Sequence, residues 1–208
     1  YTACHLRVPA RAAMLTGQLP SRNGIYANAQ GLAGDQATLM HSLALQGYET
    51  VLCGRMHFKG LDQRHGFTRR LCGDITAIRN SGIAADPPFR GTFGMNGCCD
   101  LVGGGDSPVL AYDRMVIETA LDYLRQDHDK PQCLVVGTYG PHFSYVAPPD
   151  RYAYYLDKAA VPDTWQPEAR DPNPLIDAKR QRTRHSRDGA EGPVTEAHVR
   201  KFRAAYFG

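Results

Sequence analysis

The apolar positions of this chain fall into short patterned stretches, each closed off by Gly, Pro or polar residues. Residues 7–17, RVPARAAMLTG, begin with a Pro suited to a first helical turn, where its missing N–H had no partner to lose, and end on Gly17, a helix stop. After the loop QLPSRNGIYANAQGLAG, Asp35 is placed to cap a second helix, DQATLMHSLALQG, with Leu39, Met40 and Leu43 on one face and Gly47 at its end. The run YETVLCG, 48–54, reads as a short buried strand. Helix resumes at YDRMVIETALDYLRQ, with Val116, Ala120, Leu121 and Leu124 as its apolar stripe. QCLVVGTY, 132–139, is nearly all apolar, the pattern of a strand covered on both faces. GPHFSYVAPP leaves it as a rigid Pro-rich loop. A last helix starts at Thr195 and is still running at Tyr206.

A helix joined to a strand through one Gly is α/β packing. Two stretches break the pattern. Residues 60–110 keep no period of 2 or 3.6 and read as a loop-rich excursion. Within them, the GGG run at 103–105 lacks the Lys-Ser/Thr ending of a phosphate loop and reads as loop. Residues 156–194 also read as irregular. No internal repeat is visible. With no initiator Met, and a first residue only six positions before the first helix motif, the expectation is a partial domain over 1–208, cut at both ends.

Composition narrows the function classes. At 208 residues, 42% hydrophobic and 22% charged, the chain has an ordinary globular balance and length for one sizeable core. No apolar run reaches the roughly 18 residues of a membrane span. A formal charge of +3 is too modest for a dedicated nucleic-acid binder. Lys179, Arg180, Arg182, Arg184 and Arg187 do bunch, as a solvated loop or as a phosphate- or partner-binding patch. Six cysteines, at 4, 53, 72, 98, 99 and 133, include no C-x-x-C and no zinc-finger spacing. Cys53 and Cys133 fall in the strands, as small hydrophobes. The set fits reduced thiols, which leans toward a cytoplasmic setting, and no targeting segment is there to read.

Ligands of an open α/β sheet bind beyond the carboxyl ends of its strands. There the sequence places Arg55 and His57, in GRMHFKG, and His142, in GPHFSY. The helix opening at Pro9 offers backbone N–H groups and a positive dipole end, and Arg11 adds a planar fork of donors. Each feature alone also fits a structural part: a satisfied His, a surface Arg, an ordinary helix start. Converging, they make a cationic, imidazole-lined pocket for a tetrahedral anion such as sulfate or phosphate.

RVPARAAMLTG resembles the sulfatase signature Cys/Ser-x-Pro-Ser/Ala-Arg-x-x-x-Leu-Thr-Gly, with Pro9, Ala10, Arg11, Leu15, Thr16 and Gly17 in register. LPSRNGIY is similar to that family's Tyr-Pro-x-Arg-x-Gly stretch, GYETVLCGRMHFKG to its second signature, Gly-Tyr-x-Thr…Gly-Lys-x-His, and GPHFSYVAPPDRY to its Pro-His loop. The four segments come in the family's order, over roughly residues 1–60 and 111–155. The resemblance implies an alkaline-phosphatase-like α/β sandwich, its central mixed, mainly parallel sheet flanked by helices. It also implies hydrolysis of a small-molecule or carbohydrate sulfate ester with a divalent cation, usually Ca2+. In the family, a formylglycine made from Cys or Ser attacks sulfur. By position, Arg11, His57 and His142 carry over as catalytic residues.

Two departures stand out. Arg7 occupies the nucleophile position, and a guanidinium can neither be oxidised to an aldehyde nor attack as a nucleophile. Cys4 stands three residues too early to replace it. Arg55 stands where the family has Lys, keeping charge in a bulkier group, with Lys59 as a neighbouring substitute in substrate binding. The family's metal ligands belong to segments outside this stretch, so no metal ligand is expected within it and the cation should be held poorly. The expectation is a sulfatase catalytic-domain fragment without turnover. The alternatives are a non-catalytic relative that binds sulfate or phosphate esters, and a phosphodiesterase or phosphonate hydrolase of the same superfamily.

Overall fold

The computed structural model describes residues 1–75, 102–142, 145–165, 173–175 and 195–208. Residues 76–101, with Cys98 and Cys99, and the basic run at 179–187 lie outside them. In chain order the elements are α1 Arg7–Thr16, α2 Pro20–Asn23, α3 Leu39–Leu45, β1 Glu49–Gly54, β2 Arg69–Cys72, β3 Val102–Gly104, α4 Pro108–Leu124, β4 Gln132–Gly137, β5 Tyr145–Ala147, α5 Pro149–Lys158 and α6 Glu196–Phe207. The chain divides into two compact units, Tyr1–Ala84 with Arg114–Thr138, and Ala85–Asp113 with Tyr139–Gly208.

The first unit is built on a parallel sheet of order β2-β1-β4. β1 is the middle strand, and Thr50 to Gly54 are all buried. Its side chains alternate between two helical layers. Leu52 packs with Leu15 of α1, Met40 of α3, Met56, Phe58 and Phe67. Cys53 faces the other layer, where its Sγ donates to the Val116 carbonyl of α4 at 3.4 Å. Leu52 is fully buried, which is worth about 1.5–3 kcal/mol for such a side chain. Helices on both faces are what the continuous apolar run VLC requires.

At their amino ends β1 and β2 are clasped by two threonines. The Thr50 and Thr68 N–H groups each donate to the other's hydroxyl at 3.0 Å. The Thr68 hydroxyl donates to the Thr50 carbonyl at 2.9 Å, and the Thr50 hydroxyl to the Gly66 carbonyl at 3.0 Å. With the Thr68 N–H also donating to the Thr50 carbonyl at 2.9 Å, this set of bonds fixes the register of two short strands.

Several boundaries differ from the sequence pattern. The second helix starts at Leu39, capped by Thr38 and not by Asp35. His41 Nδ1 accepts from the Thr38 N–H at 3.2 Å, the task a Glu performs in an ordinary capping box. Leu39 then points outward, half exposed, while Met40 and Leu43 meet the core. Over residues 114–124 of α4 the buried stripe is Val116, Ala120 and Tyr123, with Leu121 and Leu124 exposed. Tyr123 completes the i, i+4, i+7 spacing, and its hydroxyl donates to Glu49 at 2.8 Å, so the ring is buried without stranding the hydroxyl. β2 falls inside the stretch read as irregular; four residues are too few to display a period. β4 is an edge among the described strands and only half-buried, so cover on both faces belongs to β1 alone.

In the second unit β3 pairs in parallel with β5, from Val102↔Tyr145 to Gly104↔Ala147. Both were expected to be loop. Three residues with two glycines carry no alternation, and backbone pairing alone makes them strand. Pro149 opens α5 at its first turn, where a rigid loop was expected. α6 begins at the Thr195 cap, as the pattern indicates. Its Phe202 stacks edge-on against Tyr145 at 6.0 Å, and its Phe207 lies 5.9 Å from Tyr155 of α5.

Candidate functional site

At their carboxyl ends, β1 and β4 finish on facing glycines. Gly54 pairs with Gly137, and the Arg55 N–H donates to the Gly137 carbonyl at 2.7 Å. Gly54 has a φ of 92°, and a Cβ there would run into the Gly137 carbonyl oxygen and the Val116 side chain. A Cβ on Gly137 would run into the backbone of Arg55. Only two hydrogen side chains let the chain pass this point and turn Arg55 inward.

Arg55 and His57 are buried, at 3% and 7% exposure. His57 has a φ of 61°, a left-handed conformation that costs a residue with a Cβ roughly 1–2 kcal/mol. Its N–H donates to Asp74 Oδ2 at 2.5 Å, and Asp74 is 2% exposed. Burial pushes the His57 pKa down to about 3; the Arg55 guanidinium, Lys59 and Arg7 push the same way, and Asp74 opposes them. Residues far apart in sequence thus act on one imidazole. Its Nδ1 is buried and has no hydrogen-bond partner among the described residues.

Arg7 opens α1, and Arg11 follows one turn later on the same helix face, with its Nη1 buried. The helix start offers an anion fewer N–H groups than the sequence implies. The Val8 N–H donates to Asn28 Oδ1 at 3.0 Å, and Pro9 has none. What remains is the dipole and the arginines. In the first unit the candidate site is a neutral imidazole among cations. An entering oxyanion would offset those cations and return the imidazole's affinity for a proton.

His142 lies in the second unit, half-buried, edge-on to Tyr139 with ring centres 4.9 Å apart. The turn that carries it contains a cis Gly140–Pro141 bond. Asp113 of α4 fixes it, accepting from the Tyr139 N–H at 2.6 Å and the Gly140 N–H at 2.8 Å. Beside it is a cavity of about 360 Å³, whose wall includes Asp113, His142, Tyr145, Tyr206 and Phe207. Sequence reasoning missed Asp74, Asp113 and Asn28. All three act through backbone N–H groups, which no motif of side chains displays.

Calcium takes roughly six to eight oxygen ligands. Among the described residues, no three His, Cys, Asp or Glu side chains gather in a way that could hold an ion. Asp74, the one fully buried carboxylate among them, already serves His57. The described residues do not fit a calcium cage. No helix among them is long and apolar enough to cross a membrane.

The family model described as Sulfatase matches residues 1–201. A choline-sulfatase of Rhizobium meliloti is 35% identical over 221 aligned positions, which cover 100% of this chain and 42% of that protein. An N-acetylglucosamine-6-O-sulfatase of Bacteroides thetaiotaomicron is 27% identical, covering 72% of this chain and 24% of that one. The chain thus spans less than half the length of these relatives. Among solved structures, the phosphonate monoester hydrolase of Agrobacterium radiobacter superposes with a TM-score of 0.60 at 18% identity, over 99% of this chain and 47% of that one. The α/β architecture with parallel strands between helices is shared with it.

Proposed function

We propose, given that this chain belongs to the sulfatase family, that it forms part of a catalytic domain whose anion pocket holds a sulfuric ester without hydrolysing it. The observation that carries this reading is the set of cations, Arg7, Arg55 and Lys59, bearing on the neutral imidazole of His57. A sulfate group is a weak base and a poor hydrogen-bond acceptor per oxygen, so several fixed charges suit it better than one. Arg7 adds charge where the family's motif has the nucleophile. A guanidinium supplies attraction there and no attacking atom.

Arg11 is proposed to hold the oxyanion from the same helix face as Arg7. His57 and His142 are proposed, from the motifs that carry them, to serve the leaving oxygen in an active relative. The alcohol part of the ester is proposed to be a small cation such as choline, or a sulfated amino sugar, after the two relatives' names. Calcium, which the family motif implies, would be held by parts of a longer protein.

The test is an Arg7→Cys variant of the full-length protein, co-expressed with a formylglycine-generating enzyme. Aryl sulfate, aryl phosphate and aryl phosphonate esters are offered side by side. Sulfate-ester hydrolysis by the variant, with sulfate binding but no hydrolysis by the wild type, supports the reading. Turnover by the wild type, or preference for the phosphonate, overturns it in favour of a hydrolase of the wider superfamily.

A further inference from the structure

We infer that Asp74 is a positioning residue of this site, its carboxylate holding the His57 backbone so that the imidazole is set among Arg7, Arg55 and Lys59. The inference rests on the anion-binding reading above for its consequence, but not for its geometry. β1 and β2 run parallel, with Cys53 opposite Cys72 near their carboxyl ends. Beyond those ends the two segments are joined by a bond from the His57 N–H to Asp74 Oδ2. The bond is short, and a carboxylate acceptor makes it charge-assisted.

His57 needs such a partner. A left-handed φ on a residue with a Cβ persists only where the surroundings determine it. The Arg55 N–H is held by the Gly137 carbonyl, and the Asp74 bond is what ties His57 at its own N–H. Asp74 is also the one acidic group acting on His57, against three cations. By charge alone, an acid in an anion pocket weakens binding. An acid that is nonetheless buried to 2% exposure beside that pocket has a geometric task that outweighs its charge.

The two contributions have opposite signs, and that separates them. The experiment compares wild type, Asp74→Ala and Asp74→Asn in the full chain, with inorganic sulfate as the probe in calorimetry. Selective ¹⁵N-histidine labelling follows the His57 amide. In the wild type the His57 amide proton should lie far downfield, as a short bond to a carboxylate requires. Asp74→Ala should move it upfield and weaken sulfate binding roughly tenfold, although a negative charge has been removed. Asp74→Asn keeps an oxygen acceptor and should restore binding to within about threefold of the wild type. Sulfate binding that tightens in both variants would show a purely electrostatic acid and overturn the inference. So would an amide signal indifferent to both changes. If the wild type fails to bind sulfate, the functional reading falls, while the upfield amide shift in Asp74→Ala still decides the geometry.

Discussion

Gly54 and Gly137 face each other across the carboxyl ends of β1 and β4, each occupying space that the other strand's backbone leaves to a hydrogen atom and nothing larger. The site begins here. Arg55 leaves the sheet one residue later, with its N–H already fixed by the Gly137 carbonyl.

Alanine at either glycine should therefore be costly. A methyl at Gly137 meets backbone, which cannot move aside as a side chain would, and one at Gly54 adds the strain of a positive φ. A loss of about 3 kcal/mol in unfolding free energy is expected for each, at the upper end for overpacking. Urea denaturation reads it. A change below about 1 kcal/mol would mean that the strands can part there.

Leu52→Ala should cost about 2–5 kcal/mol, the range for a large-to-small change in a full core. Its side chain touches both α1 and α3 through Leu15 and Met40. The exposed Leu121 and Leu124 give the control: alanine at either should change stability by less than about 0.5 kcal/mol.

His57 makes the folded state sensitive to acid. Its folded pKa is depressed to about 3, while an unfolded His titrates near 6.5. Between those values the unfolded chain binds a proton that the folded chain refuses. Stability contributed by neutral His57 is complete above about pH 6.5 and is lost progressively as pH falls toward 3. The His57→Gln variant should show a shallower decline of urea midpoint over that window. Parallel curves for the two proteins would remove His57 as the titrating group.

Arg7→Ala should weaken binding of inorganic sulfate by about fivefold to tenfold, and the loss should shrink as salt screens the charge. It should also raise the His57 pKa, because one of the cations opposing protonation is gone. Calorimetry at two ionic strengths and a histidine titration measure both. A His57 titration unchanged by the substitution would separate Arg7 from the pocket.

Asp113→Ala removes the acceptor for the Tyr139 and Gly140 N–H groups. About 1–3 kcal/mol of stability should be lost, the cost of stranding a donor at a partly buried turn. Asp113→Asn, which retains one good acceptor, should recover part of it. Equal losses in both would show that the charge, not the geometry, anchors the turn.

Several residues of the candidate site were legible in the letters, and what was not has physical causes. Arg7, Arg55, His57 and Lys59 sit in motifs at strand and helix ends, where sequence position implies spatial position. β1 was recognisable because its stretch buried between the two helical layers, Val51 to Cys53, is apolar. β3 and β5 were not, since three residues of Gly, Val, Ala and Tyr acquire strand geometry only from their pairing. The α4 stripe was misdrawn at Leu121 and Leu124 because Tyr123 buries a ring whose hydroxyl needs Glu49, a partner 74 positions away. Asp74 was invisible for a related reason: it acts on a peptide N–H, and any residue there has one.

The Thr50–Thr68 clasp bears on how the pocket can respond to a ligand. With both strands pinned at their roots, β1 cannot slip along β2 when an anion draws on His57. Yielding would then fall on the few residues past Cys53 and Cys72, which a peptide-to-carboxylate bond joins. The arrangement is that of tweezers riveted at the base, with the grip set by the bond at the tips.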